Sequence, residues 1–131
     1  MKICILKFLI ICCALLAIVG CQSGDSLKSA TFKELYPSNL SDVTRIEIRH
    51  GSGELKVITE KSVINEWLEG ISEIAFIPEK NQEDRVGYLY SIQIYEENKP
   101  TFRFNTIRIS NFYYEQNDDM LQAMKSLFEE N

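Results

Sequence analysis

The chain has 131 residues, with 14 Lys plus Arg against 19 Asp plus Glu and a formal net charge of -5. That length holds one domain, and the acidic balance argues against nucleic acid, which needs a basic surface. The composition also excludes a collagenous or Pro-rich chain and a multi-span membrane protein.

Lys2 and Lys7 are the only charges ahead of an apolar run from Phe8 to Cys21. Charge first and apolar run second is the layout of an export signal. At roughly 1.5 Å per helical residue the run reaches about 21 Å, short of a hydrocarbon core of about 30 Å, so a retained anchor helix is disfavoured.

The run ends in Ile18-Val19-Gly20-Cys21. These four residues resemble the lipobox of bacterial lipoproteins, and the resemblance covers residues 1–21. It implies a diacylglyceryl group on the Cys21 sulfur, cleavage just before Cys21 and, in many members, acylation of the new amino group. It also implies a lipid-anchored protein on the extracytoplasmic face of the cell membrane, and the general build resembles small lipoproteins of Gram-positive bacteria. The four cysteines are Cys4, Cys12, Cys13 and Cys21, so nothing beyond Cys21 can form an internal disulfide.

Removing residues 1–20 leaves a balance of -7, from which the domain is expected not to adhere to anionic lipid. Residues 21–41 are rich in Ser, Gly, Asn and Asp and read as a lipidated N-terminus and flexible tether. Phe32-Lys33-Glu34-Leu35-Tyr36 is the exception, a segment able to dock as a short turn or helix.

A single domain is expected over residues 42–131. Val43 to His50 alternates, with Ile46 and Ile48 on one face and Arg45, Glu47 and Arg49 on the other, as a half-buried strand does. Gly51-Ser52-Gly53 signals a hairpin into Glu54 to Ile58. A helix follows, with Thr59 as its expected cap and Val63, Ile64, Trp67, Leu68 and Ile71 along one side.

Ile74 to Ile77 is a short strand ended by Pro78, and Glu79 to Arg85 reads as an exposed charged loop. Val86 to Tyr95 is expected to be a long strand with Tyr88, Tyr90, Ile92 and Ile94 on one face. Phe102 and Phe104 face together, and the parity shift to Ile107 and Ile109 predicts a bulge or turn at Asn105-Thr106. After Phe112-Tyr113-Tyr114, Asn117 or Asp118 caps a final helix that buries Met120, Leu121, Met124, Leu127 and Phe128. Hairpin-linked strands with helices in two places predict an α+β fold: an antiparallel sheet of five to six strands with two helices packed on one face.

Chemistry is sparse. His50, the only histidine, sits at a hairpin mouth, and no cysteine beyond Cys21 is left to complete a zinc set; no cofactor is expected. Carboxylates at Glu83-Asp84, Glu96-Glu97, Glu115 and Asp118-Asp119 fall in turns or at a helix start, where Asp and Glu serve solubility and the helix dipole. A glycan hydrolase needs only two carboxylates at the right spacing, so an envelope hydrolase is the alternative reading.

The better lead is aromatic. Two helices cannot cover both faces of the sheet, so some of its tyrosines must meet solvent, and Tyr88, Tyr90 and Tyr95 are the candidate partner-binding residues. The expected function is therefore a non-enzymatic binding or accessory domain. It would be held at the membrane by covalent lipid and would contact a protein or cell-wall partner.

Overall fold

A computed structural model of the protein describes residues 27–131. The expected signal segment, the residues that resemble a lipobox, and Cys21 lie outside the described residues. The chain order is β1 (Ala30–Thr31), α1 (Phe32–Leu35), a 3-10 turn (Leu40–Asp42), β2 (Arg45–His50), β3 (Leu55–Ile58) and α2 (Lys61–Ile71). It continues through β4 (Ala75–Phe76), β5 (Tyr90–Glu96), β6 (Lys99–Asn105), β7 (Arg108–Ile109) and β8 (Phe112–Tyr113) to α3 (Asp118–Glu129).

Six strands form an antiparallel sheet in the order β3-β2-β5-β6-β7-β8, and β1 pairs with β4. The fold is the α+β arrangement that strand and helix periodicity predict. Period-two burial explains the sheet: Ile46 and Ile48 of β2 face Ile92 and Ile94 of β5, all four fully buried. Against that face pack Ile64, Leu68 and Ile71 of α2 and Met120, Met124 and Leu127 of α3. Trp67 ties the two helices together by donating its indole N–H to the Ala123 carbonyl at 3.0 Å.

The domain begins earlier than composition predicts. Thr31 caps α1, accepting from the Glu34 N–H at 3.3 Å while the Glu34 carboxylate accepts from the Thr31 N–H at 2.7 Å. That reciprocal pair lowers the Glu34 pKa, through the backbone hydrogen bond first. Phe32 enters the core fully buried, its ring centroid 5.2 Å from that of Phe104 and 5.9 Å from that of Phe102. Tyr36 and Val43 are buried too, so residues 30–41 are part of the domain rather than of a flexible tether. Two aromatic residues four apart decide this, in the segment that the sequence marks as able to dock.

Two local expectations also need correction. The residue preceding α2 is Glu60, which makes no side-chain capping bond, in place of Thr59. The strand expected from Val86 starts only at Tyr90, because Gly87 takes φ +100° and the Gly51 backbone closes on Tyr88 and Leu89. A Cβ on Gly51 would lie 2.7 Å from the Tyr88 carbonyl oxygen, and the Gly51 N–H donates to the Leu89 carbonyl at 2.8 Å. The loop from Glu79 to Arg85 is largely exposed, as expected, and is pinned at one point: the Gln82 amide donates to the Tyr113 carbonyl and accepts from the Tyr113 N–H, each at 2.8 Å. The parity shift at Asn105 is a turn in which Asn105 Oδ1 accepts from Ile107 and Arg108 N–H groups at 2.9 and 2.8 Å. Asn117 caps α3 through Met120 N–H at 2.9 Å.

Candidate functional site

Among the described residues all three helices lie over one face of the sheet, and strand alternation sends the other side chains to the opposite face. Register places Val57, Glu47, Gln93 and Arg103 in one cross-strand row and Leu55, Arg49, Ser91 and Asn105 in the next, with Arg45 opposite Tyr95. Neighbouring strands are about 4.8 Å apart, so each row brings side chains from four strands within reach of a single ligand.

At one end Arg45, Glu47 and Tyr95 form a triad. The Arg45 guanidinium carbon stands 3.9 Å from the Tyr95 ring centroid, and the Tyr95 hydroxyl donates to Glu47 Oε2 at 3.1 Å. Arg45 Nε is buried at 3.5 Å from Glu47 Oε1, an ion-pair distance without hydrogen-bonding geometry. In the middle, small Ser91 leaves a shallow cavity of about 180 Å³ between Arg49 and Arg103, flanked by Leu55 and Tyr95. Arg49 donates to the Gly53 carbonyl at 3.0 Å, and Arg103 has no carboxylate partner among the described residues.

At the other end Tyr113 points away from the helix-covered core. Two guanidinium carbons approach its ring, that of Arg85 at 4.5 Å and that of Arg108 at 5.2 Å from the centroid. The Tyr113 hydroxyl accepts from the Arg85 N–H and donates to the Arg85 carbonyl, each at 3.1 Å. The chain has five arginines, Arg45, Arg49, Arg85, Arg103 and Arg108, and all are on this side of the sheet. The helices are the reverse: α2 and α3 hold five carboxylates, two lysines and no arginine. The arginines are thus kept apart from the helix carboxylates, although Glu47 and Glu79 accompany Arg45 and Arg85.

The three tyrosines selected from sequence are not brought together. Tyr95 is on the uncovered face, half-buried beneath Arg45. Tyr90 is a correction: it is 5 % exposed and lies on the helix-covered face, its ring 5.5 Å from that of Phe128 and 5.3 Å from that of His50. Burial pushes its hydroxyl pKa up. Tyr88 is half-buried in the segment before β5, outside the strand. Helices α2 and α3 cover the alternating set that contains Tyr90, and pattern alone cannot tell which of two apolar-looking faces they choose.

His50 accepts from the Ser52 N–H at Nδ1, 3.1 Å away, and that nitrogen lies 2.8 Å from Ser52 Oγ, a bond internal to the hairpin. Among the described residues no group of three or more His, Cys, Asp or Glu side chains is placed to hold a metal ion. Among them also, no helix is long and apolar enough to cross a membrane. A larger cavity, about 300 Å³, lies beyond the sheet end between Leu89, Thr106, Tyr114, Asn117 and Leu121, with Glu79 as its single carboxylate. Glu66 and Glu130 face a second of about 280 Å³ beside Trp67.

No protein-family model, curated protein or solved structure matches the chain. The arginine side was half-legible before folding. Alternation placed Arg45, Glu47 and Arg49 together, but the register that adds Arg103 and the return that adds Arg85 are tertiary.

Proposed function

We propose that the protein is an extracytoplasmic lipoprotein, held at the cell membrane by lipid on Cys21, whose domain is a non-enzymatic binding or accessory module working through the uncovered face of its sheet. The lipobox resemblance of Ile18-Val19-Gly20-Cys21 supports the anchor. The observation that carries the binding role is the position of the arginines and Tyr95: planar donors and one aromatic ring, side by side on a sheet face that no helix covers among the described residues. Such groups hold a partner's anions without any catalytic apparatus. The envelope hydrolase has less support: Glu83, Asp84, Glu96, Glu97, Glu115, Asp118 and Asp119 border none of the three cavities described above, though Glu66 and Glu130 share one of them.

Intact mass of the membrane-extracted protein beside its Cys21→Ala variant tests the anchor. The expected wild-type mass lacks residues 1–20 and carries two or three acyl chains, and the variant is neither lipidated nor cut there. A full-length unlipidated wild type overturns the reading.

A further inference from the structure

We propose that the uncovered sheet face docks on the bilayer itself, with its arginines on the phosphates of anionic lipid headgroups; this rests on the lipid anchor proposed above and names the partner of the same face. The net charge of the chain argues the other way, and the fold shows why that average misleads. Arg49, Arg103 and Arg108 come from three strands and have no carboxylate partner among the described residues, while Arg45 is paired with Glu47 and Arg85 with Glu79. The helix carboxylates stand on the far side of the core, where salt with a screening length of about 10 Å mutes them.

Apolar groups accompany the cations. Leu55 lies opposite Arg49 and Val57 opposite Glu47, and they are 41 % and 53 % exposed. Cations beside exposed aliphatic side chains suit the boundary between headgroups and acyl chains. Guanidinium forks match phosphate oxygens two at a time. A sheet face also presents its charges to many headgroups at once, where a single free anion would meet only one or two of them.

Chain length agrees. Ala30 follows Cys21 by nine residues, a span of at most about 32 Å at roughly 3.3 to 3.6 Å per residue. The anchor therefore confines the domain to a thin layer over the bilayer, and confinement on this scale raises the effective concentration of the face at the headgroups to roughly millimolar. A weak electrostatic contact is then enough.

The test uses the processed, lipidated protein, whose one cysteine is blocked by lipid, with a reporter thiol introduced by Val57→Cys on the uncovered face or by Gln122→Cys on α3. Intact mass first confirms the acyl chains; their absence overturns the anchor, and with it the docking that rests on it. A water-soluble maleimide is then added to vesicles of phosphatidylcholine alone or with three parts in ten phosphatidylglycerol. Docking requires position 57 to react more slowly on the anionic vesicles and position 122 to react equally on both.

Adding Arg49→Gln and Arg103→Gln should weaken docking about 30-fold, at roughly one factor of five per arginine, and 1 M salt should abolish the slowing without any substitution. Equal reactivity at position 57 on both vesicles overturns the proposal while leaving the anchor standing. Slowing by inorganic phosphate on neutral vesicles would assign the face to a free anion instead. Slowing that grows with protein density on neutral vesicles would assign it to a second copy, and either result overturns docking on lipid.

Discussion

The guanidinium carbon of Arg45 stands 3.9 Å from the centroid of the Tyr95 ring while the hydroxyl of the same ring donates to Glu47, the carboxylate two residues along from Arg45. A cation on the ring face and an anion at the ring edge oppose one another across one tyrosine. The arrangement holds Arg45 in place and leaves Arg49, Arg103 and Arg108 as the arginines with no carboxylate partner among the described residues.

A double-mutant cycle reads that contact. Arg45→Gln and Tyr95→Leu, alone and together, are expected to show a coupling of about 0.5 to 1 kcal/mol in urea denaturation, the range for a partly exposed cation–π pair. Zero coupling would mean that the guanidinium is held by Glu47 alone.

Phe32 is expected to matter as much as any core residue of the sheet, although it precedes β2 and follows a polar segment. Phe32→Ala should cost about 3 to 5 kcal/mol, the range for truncating a fully buried phenylalanine, with a matching fall in the urea midpoint. A variant near wild-type stability would show that α1 is dispensable and that the domain starts after it.

Gly51→Ala should destabilise the hairpin. Its new methyl would sit 2.7 Å from the Tyr88 carbonyl oxygen, and that oxygen belongs to backbone that must shift. About 1 to 3 kcal/mol is expected, the scale of overpacking, with faster amide exchange at Gly51, whose N–H bonds the Leu89 carbonyl. Gly70→Ala is the control: a Cβ there meets nothing within 4 Å, and the helix should gain about 1 kcal/mol from the better helix former.

Stability should fall in alkali. Burial raises the Tyr114 hydroxyl pKa above its ordinary value, and burial and then Glu96, which accepts from Tyr36 at 2.7 Å, do the same for Tyr36. Both groups stay protonated in the folded chain after the unfolded chain begins to ionise near pH 10. Their contribution is therefore complete below about pH 10 and is lost as pH rises toward the folded values, at about 1.4 kcal/mol per pH unit for each tyrosine. Tyr114→Phe should flatten part of that slope while losing, at neutral pH, the hydroxyl bond to the Asn105 carbonyl, worth about 1 kcal/mol. Equal alkaline slopes in wild type and variant would remove Tyr114 from the account.

Periodicity made most of the fold legible because each element buries its own repeating set: Ile46 and Ile48, Ile64 with Leu68 and Ile71, Met120 with Met124. It failed where burial depends on a distant partner. Phe32 is buried by Phe102 and Phe104, some seventy residues away in sequence, and Tyr90 by the end of α3. The candidate site was legible only as its β2 component. Arg103 joins Arg49 through strand register, and Arg85 reaches the same side because its loop is pinned on Tyr113. Net charge, a sum over the chain, erased the separation of arginines from helix carboxylates that folding creates.

The Gln82 side chain has a consequence for how this protein meets other chains. Its carboxamide bonds both the N–H and the C=O of Tyr113, as the peptide group of an adjoining strand does, and the Glu79 N–H donates to the same carbonyl at 2.9 Å. The β8 margin is thereby filled from within, so a foreign segment seeking to lengthen the sheet, or a misfolded copy seeking to stack end to end, finds no vacant ladder there. Among the described residues growth of that kind is left with the β3 margin, where Leu55 and Val57 are exposed on one face and Lys56, on the other, lies over the Phe128 ring and donates to the Asn131 carbonyl at 2.8 Å.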